Sequence, residues 1–291
     1  MRLPHFEYLA PSTVAEAIEL LHSRGLDARV MAGGTDLLIK MRHAGLKLKT
    51  VISLKHIQGL NTITADKDTG LFIGATALLA DVAAHPAVKE HYPTVAEAAG
   101  GTANAQVRNL GTVVGNLCNA SPAADNAPTL LAMGADVHIQ GPDGCRDLSL
   151  EDFFKGPGIT ALADAEIVTA VSAPPLPTHS GTGYISLSAR GQLDCTAAGV
   201  GVRVTMDGTA CKDIRIFISA CGPTPIRAVK TEALIRGKEL TDEVLNRAGT
   251  QVLTEIMPIT DLRASADYRR KMINVLTRRA IVKAHNTAMK L

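Results

Sequence analysis

The segment RVMAGGTDLLIKMR, residues 29–42, places two adjacent glycines between a short apolar run and a helical pattern. Gly33 and Gly34 have no Cβ atom, so their backbone amides can approach a ligand closely and adopt positive φ. Thr35 and Asp36 stand where a helix N-cap belongs, at the positive end of the helix dipole. This order predicts a cradle for a phosphate or pyrophosphate, although such a turn can also be simple chain punctuation. Asp36 would repel a phosphate, so we assign it to capping or to a hydroxyl group of the ligand.

A second glycine-rich segment, NAQVRNLGTVVGNLCNASPAADNAP, occupies residues 104–128. It holds Gly111 and Gly115 among small and hydroxyl-bearing residues, and Asp125 follows through a Ser-Pro turn. The segment could be a loop that merely connects a helix to a hairpin, but loops of this length in compact domains tend to be functional. Two separate turns of this kind could hold the two ends of an extended dinucleotide. The first turn fits neither a Walker motif nor the GxGxxG dinucleotide fingerprint.

Hydrophobic periodicity predicts the elements that must hold these two segments. Residues 12–25 predict a helix with capping signals at both ends. Short strands at 28–32 and 50–53 enclose the helix that follows the glycine pair. The first glycine turn would therefore join a strand to a helix inside a small β-turn-α-β unit.

The pattern changes from about residue 57 onward. Hairpins are predicted at 62–75 and 135–150, and helices interrupted at Pro86 and Pro93 lie between them. A closing strand is predicted at 166–174. This region would form a larger unit of mixed helix and sheet.

The proline-rich segment at 174–183 marks the best domain boundary in the chain. Beyond it, antiparallel strands are predicted at 184–190, 197–208 and 211–222. The remaining residues predict helices that are basic on their exposed face.

Composition excludes several classes of partner. The 291 residues are 46% apolar and 20% charged, which is typical of a globular protein long enough for two domains. The formal charge of +2 argues against nucleic acid or an anionic membrane as the main partner, and a chain with 3% aromatic residues and no Trp offers no stacking platform. We find no signal peptide and no apolar run near the roughly 18 residues of a membrane span, so we expect a cytoplasmic protein.

The chain shows no constellation for acid–base or metal chemistry. Its five cysteines are scattered without a Cys-x-x-Cys pair, and its nine histidines lack metal-ligand spacing. We therefore assign no catalytic residue and no metal ligand, and we expect the cysteines to be reduced thiols.

Three segments in order resemble the FAD-binding medium subunits of molybdenum hydroxylases, a family that includes xanthine, carbon monoxide, nicotinate and aromatic-CoA dehydrogenases. They are AGGTDLL at 32–38, QVRNLGTVVGNLCNASPAAD at 106–125 and CGPTPIRA at 221–228. The closing PITDLRASADYRRKMINVLTRRAI is similar to the C-terminal helices of that family. The resemblance therefore covers essentially the whole chain.

This resemblance implies an α+β fold in two domains. A vanillyl-alcohol-oxidase (PCMH)-type FAD-binding domain would occupy residues 1–176, with a small β-α-β lobe at 1–55 and a larger α+β lobe at 56–176. A smaller C-terminal domain at 177–291 would consist of a three-stranded antiparallel sheet plus helices.

The resemblance also implies FAD held without a covalent bond. The first turn would wrap the pyrophosphate through backbone amides, and the second turn would contact a second phosphate and the flavin side. Asp125 would reach a ribose or ribityl hydroxyl, Thr102 would lie on the approach to the flavin, and Ile167 or Val168 would line the ring. The implied cofactor-binding residues are Arg29, Val30, Met31, Ala32, Gly33, Gly34, Thr35, Asp36, Thr102, Gly111, Thr112, Val113, Val114, Gly115, Asn116, Asp125, Ile167 and Val168.

Two positions depart from the family pattern. Val114 stands where the family's second turn usually has a glycine, and a β-branched residue there requires either β geometry or a weaker grip on the cofactor. Ser186 stands where a strand usually carries a lysine near the flavin. Without that cation, the potential of the flavin would be lower.

By this resemblance the chain would be the FAD-binding electron-transfer subunit of a molybdenum-containing hydroxylase. It would pass electrons from [2Fe–2S] clusters to NAD⁺ or another acceptor. Molybdopterin would belong to a large partner subunit and [2Fe–2S] to a small one, in a dimer of heterotrimers. Two alternatives stay open: a self-contained flavin oxidase of the same fold, and a flavin-free structural or assembly subunit.

Overall fold

The computed structural model describes residues 3–189 and 195–290. Its N-terminal sheet has three parallel strands in the order β1-β3-β2. The elements are β1 (Glu7–Leu9), α1 (Val14–Arg24), β2 (Ala28–Met31), α2 (Leu37–His43) and β3 (Thr50–Ser53). The predicted β-turn-α-β unit is confirmed. Strand β1 was not predicted, because its three residues are too few to show an alternating pattern and the first two are exposed.

A second, central sheet has five antiparallel strands in the order β4-β5-β10-β6-β7. Both predicted hairpins are present, and helices begin at Pro86 and Pro93 as the sequence indicates. The predicted closing strand, β10, is present as the last strand of this unit along the chain, and it lies at the centre of the sheet. The elements are β4 (Ile63–Asp66), β5 (Gly70–Gly74), α3 (Leu79–Ala84), α4 (Pro86–His91), α5 (Pro93–Gly101), α6 (Ala105–Arg108), α7 (Val113–Cys118), α8 (Ala127–Met133), β6 (Asp136–Gly141), β7 (Gly144–Ser149), α9 (Leu150–Phe153), β8 (Phe154–Gly156), β9 (Ile159–Thr160) and β10 (Ile167–Ala173).

The C-terminal sheet is antiparallel, in the order β11-β12-β13-β14. The three predicted strands are present, and a two-residue strand adds a fourth, so the sheet is not three-stranded as expected. The first strand starts at Ser180, inside the proline-rich segment; its predicted end at residue 190 lies outside the described residues. The elements are β11 (Ser180–Leu187), β12 (Ala198–Asp207), β13 (Ala210–Ser219), β14 (Ile226–Arg227), α10 (Val229–Ile235), α11 (Asp242–Gln251) and α12 (Ala266–Ala288).

Glycines in the C-terminal sheet let helices lie directly on its backbone. A Cβ atom at Gly181 or Gly183 would overlap backbone atoms of α12, and one at Gly201 would overlap the carbonyl group of Pro128 in α8. All seven residues of α8 are buried. Helix α8 therefore joins the central and C-terminal parts of the molecule, and the residues just before it are held at that junction.

A cluster of charges also crosses this junction. Glu151 of α9 accepts hydrogen bonds from Arg215 of β13 and, at 3.4 Å, from Arg227 of β14. Both guanidinium groups flank the ring of Phe217, 5.6 and 5.9 Å from its centre. Both cations are therefore held by contact with the ring as well as by the carboxylate. Across the described ranges, no helix is long and apolar enough to cross a membrane.

Candidate cofactor site

A cavity of about 620 Å³ lies where the N-terminal and central sheets meet. The first glycine turn, which follows β2, and the second, which precedes α7, both line it. Pockets of this size are typical of small-molecule and cofactor sites. Another depression of similar volume, about 610 Å³, lies along α11 and α12 and shares no lining residue with it.

The two positions of the first turn require glycine for different structural reasons. Gly34 has a φ of +76°, a conformation that glycine adopts without strain. Gly33 has no such φ; a Cβ atom there would overlap the carbonyl oxygen of Leu110 and lie 2.8 Å from Cα of Gly111. The sequence suggested ligand approach as the reason for both glycines, but Gly33 is required by contact with the second turn.

Asp36 occupies the N-cap position of α2 but makes no capping hydrogen bond, so the capping prediction for its side chain is wrong. The residue lines the cavity, and burial raises the pKa of its carboxyl, an effect that Lys40 opposes. Lys40 also lines the cavity and was missed by the sequence analysis. Its spacing of four residues from Asp36, which places both on one helical face, was the available signal. Binding of a ligand hydroxyl remains the role open to Asp36.

The second turn is an ordered helix start and not a plain connecting loop. Thr112 caps α7, and its Oγ1 accepts a hydrogen bond of 2.9 Å from the backbone amide of Gly115. The carbonyl oxygen of Gly111 accepts a bond of 2.9 Å from the amide of Leu79, which ties the turn to α3. These bonds hold the backbone of the turn against the cavity.

Val114 lies in the first turn of α7, where the backbone is helical, so β geometry, one of the two alternatives open from the sequence, does not apply. Its φ is not positive, and its side chain is 3% exposed in the core around the central sheet. A β-branched side chain is acceptable in that conformation, which removes the steric objection raised by the sequence. The side chain also reaches the cavity wall.

The side-chain amide of Asn126 holds Asn116 and is itself bound to the hydroxyl of Thr102. Nδ2 of Asn126 donates to Oδ1 of Asn116 at 3.1 Å and to Oγ1 of Thr102 at 3.2 Å. The hydroxyl of Thr102 in turn donates to the carbonyl oxygen of Ala98 at 2.8 Å. Asn116 lines the cavity, and its Nδ2 can donate a hydrogen bond to a ligand there.

Asp125 is bound by two hydroxyl groups from the C-terminal part. Its Oδ1 accepts a hydrogen bond of 3.0 Å from Oη of Tyr184 and another from Oγ1 of Thr196. Burial raises the pKa of the Asp125 carboxyl, and these two donors oppose that effect. Asp125 was expected at the site from the sequence, whereas neither of its two partners was, since nothing local marks them.

Ser186, the position of the missing lysine, is an exposed residue of β11. Its side chain is hydrogen-bonded to that of Tyr184, two residues earlier on the same strand face. Ser186 therefore reaches the cavity only indirectly, through Tyr184 and Asp125.

A thiol and an ion pair complete the wall. Burial raises the pKa of the Cys118 thiol to about 12, so this cavity residue stays protonated and is a poor nucleophile at neutral pH. Glu166 also lines the cavity and is bound by Arg146 through two hydrogen bonds of 2.7 Å.

No cluster of three or more potential metal ligands occurs within residues 3–189 and 195–290.

Seventeen of the eighteen residues that the sequence analysis named as cofactor-binding line the cavity. The remaining one, Val113, is fully buried in the core around the central sheet and does not line the cavity. The lining residues are Arg29, Val30, Met31, Ala32, Gly33, Gly34, Thr35, Asp36, Thr102, Gly111, Thr112, Val114, Gly115, Asn116, Asp125, Ile167 and Val168.

These groups suit an extended dinucleotide cofactor. Bare backbone at two turns can bind phosphates, and the carboxylates of Asp36 and Asp125 can accept hydrogen bonds from sugar or ribityl hydroxyls. Ile167 and Val168 of β10, which are 1% and 4% exposed, give an apolar wall against which a ring can pack.

Comparison with known proteins agrees with this geometry. Residues 4–176 match the family described as FAD binding domain in molybdopterin dehydrogenase, and residues 184–284 match the CO dehydrogenase flavoprotein C-terminal domain. The carbon monoxide dehydrogenase medium chain of Hydrogenophaga pseudoflava is 32% identical over 278 residues, 96% of either chain. The putative xanthine dehydrogenase FAD-binding subunit XdhB of Escherichia coli K12 is 30% identical over 278 residues, 95% of either chain.

Solved structures give the same result. Carbon monoxide dehydrogenase from H. pseudoflava, in a form lacking the Mo-pyranopterin moiety, matches with a TM-score of 0.93 and 32% identity, over 100% of this chain and 99% of that one. Quinoline 2-oxidoreductase from Pseudomonas putida 86 matches with a TM-score of 0.91 and 27% identity, over 99% and 100%. The chain therefore belongs to the FAD-binding medium subunits of the molybdenum hydroxylases, an oxidoreductase family with a PCMH-type FAD domain and a flavoprotein C-terminal domain.

Proposed function

We propose that this chain receives electrons from [2Fe–2S] clusters in a partner subunit and passes them to NAD⁺ or another acceptor. FAD supplies the chemistry that links a one-electron donor to a two-electron acceptor. The observation that carries the proposal is the meeting of two glycine turns and Asp125 at one cavity. The chain's part is to bind and orient the cofactor through the backbone of the two turns and the carboxylate of Asp125.

The roles of the cavity residues follow from their chemistry. Backbone amides of the first turn, around Gly33 and Gly34, would bind the pyrophosphate. The turn at Thr112 would contact the flavin side, and Asp125 would accept a hydrogen bond from a ribose or ribityl hydroxyl. Ile167 would pack along the ring and exclude water from it.

The same proposal divides the chain at the start of the C-terminal sheet. Residues 1–176 would form the FAD domain, with lobes at 1–55 and 56–176, and residues 177–291 would form the second domain. The separate N-terminal, central and C-terminal sheets support this division.

Names of the relatives support the proposed partners. The carbon monoxide dehydrogenase and nicotine 6-hydroxylase relatives are named as a medium chain and a medium subunit. We infer that this chain assembles with a molybdopterin-binding large subunit and a [2Fe–2S] small subunit, as a dimer of heterotrimers in the cytoplasm. Molybdenum and iron would then be supplied entirely by those partners.

The first experiment is to purify the chain, record its visible spectrum and identify any chromophore released on denaturation. We expect FAD in a ratio near one per chain, released without cleavage of a covalent bond. A colourless protein that takes up no added FAD, alone or co-expressed with its neighbouring subunits, would contradict the proposal and favour a structural role.

A second experiment addresses the acceptor. The FAD-loaded chain is mixed with NADH without oxygen, and the visible flavin band is followed. Bleaching at a rate that saturates with NADH supports NAD⁺ as the acceptor. An unchanged band, together with bleaching by dithionite, shows that the acceptor is another carrier.

A further inference from the structure

The carboxylate of Asp125 is oriented by residues distant from it in the sequence. Tyr184, on β11, is 59 residues away and binds Oδ1 at 3.0 Å. Thr196, just before β12, is 71 residues away and binds the same oxygen. The two residues are 4% and 3% exposed, so both hydroxyl groups donate to this carboxylate in a buried setting.

Both donors use one oxygen of the carboxylate. In the part of the chain that the structure describes, no hydrogen bond reaches Oδ2 of Asp125, and Asp125 lines the cavity. A carboxylate can otherwise rotate about its broad terminal torsion. With Oδ1 held from the C-terminal side, a ligand hydroxyl in the cavity can be bound through Oδ2.

The backbone before α8 is fastened to the same side. The amide of Ala220 donates to the carbonyl oxygen of Pro122 at 2.7 Å, and α8 lies against Gly201 of β12. The C-terminal sheet thus fixes both the chain that carries Asp125 and the direction of its side chain.

We propose that Tyr184 and Thr196 are positioning residues through which the C-terminal sheet completes the cofactor site, by turning Oδ2 of Asp125 toward a hydroxyl of FAD. Neither residue lines the cavity, so both act through Asp125. The inference rests on the role of Asp125 in the proposed function. It means that the first domain by itself holds an incomplete binding site.

The test compares two substitutions at one position. Thr196→Val removes the hydroxyl and keeps the shape, whereas Thr196→Ser keeps the hydroxyl. Each full-length variant is stripped of cofactor and titrated with FAD, with binding followed by quenching of flavin fluorescence. We expect Thr196→Val and Tyr184→Phe to bind FAD about tenfold more weakly, and Thr196→Ser to stay within about twofold of the wild type.

Thr182→Val is the matched control. The Thr182 hydroxyl meets that of Thr94 at 3.2 Å, both residues are 3% exposed, and neither lines the cavity. Loss of this pair removes a buried hydroxyl contact between the same two parts of the molecule, and we expect unchanged FAD affinity. Thermal unfolding of every variant separates lost affinity from lost stability.

Two results would overturn the inference. If the wild type binds FAD and Thr196→Val binds as tightly as Thr196→Ser, the positioning role is wrong while the proposed function stands. If the wild type binds no FAD, the proposed function fails and this inference fails with it. Should Tyr184→Phe not fold, the two Thr196 variants decide alone.

Discussion

A Cβ atom on Gly33 would overlap the carbonyl oxygen of Leu110, so the two glycine turns of the cofactor site touch backbone to backbone. The contact brings the end of β2 against the segment that leads into α7. Neither turn can therefore shift by much without moving the other. Together they form one surface instead of two independent loops.

Gly33→Ala should disturb this surface. We expect the free energy of unfolding to fall by about 1–3 kcal/mol, as for other overpacked positions, and FAD affinity to fall at least about tenfold, because the turns must separate. Urea unfolding and FAD titration measure the two effects. Gly101→Ala is the control, because its added Cβ meets no heavy atom within 4 Å. Wild-type affinity in Gly33→Ala would show that the contact does not shape the site.

Val114→Gly restores the residue usual in the family but should not restore stability. The substitution deletes a side chain that is 3% exposed and places glycine in α7. We expect a loss of about 2–4 kcal/mol in the free energy of unfolding. Val114→Ala keeps a good helix former and should lose about 1 kcal/mol less. Urea unfolding of both variants measures these losses. If Val114→Gly and Val114→Ala lose the same free energy of unfolding, helix propensity does not matter at this position.

The ion pair of Glu166 should make the stability of the folded protein fall as the pH is lowered. The hydrogen bond from Arg146 holds the pKa of the Glu166 carboxyl below its ordinary value of 4.5. A lowered pKa stabilises the folded state above 4.5, and this contribution disappears as pH falls through the lowered value. In thermal unfolding from pH 7 down to pH values below about 4, Glu166→Gln should start less stable and decline less steeply than the wild type. Glu90→Gln, at an exposed position of α4, should keep the wild-type slope.

Glu151→Gln should weaken the junction between the central and C-terminal parts. The substitution leaves Arg215, whose side chain is 18% exposed, without its anionic partner. We expect the free energy of unfolding to fall by about 1–3 kcal/mol. Glu7→Gln breaks a pair in which both side chains are about half exposed and should cost no more than about 0.5 kcal/mol. Equal effects in the two variants would mean that the charge cluster adds nothing at the junction.

Much of the fold could be read from local patterns. Proline at the first position of α4 and α5, glycine at the end of α1 and alternating strands around tight turns depend only on neighbouring residues. The residues of the first glycine turn, and Asp125, could be named because their types and spacing resemble a known family. Elements of two or three residues, such as β1 and β14, were missed because their stability comes from the strands beside them.

The sequence by itself, through its resemblance to a known family, named residues that line the cavity, because glycine pairs and a hydroxyl-rich segment are visible in local residue types and spacing. Only the tertiary structure decided how they are held. Gly33 is required by a carbonyl group from the other turn, and Asp125 is aimed by Tyr184 and Thr196, each more than fifty residues away. Such contacts form between elements whose approach depends on packing of the whole chain, and no spacing in the sequence records it.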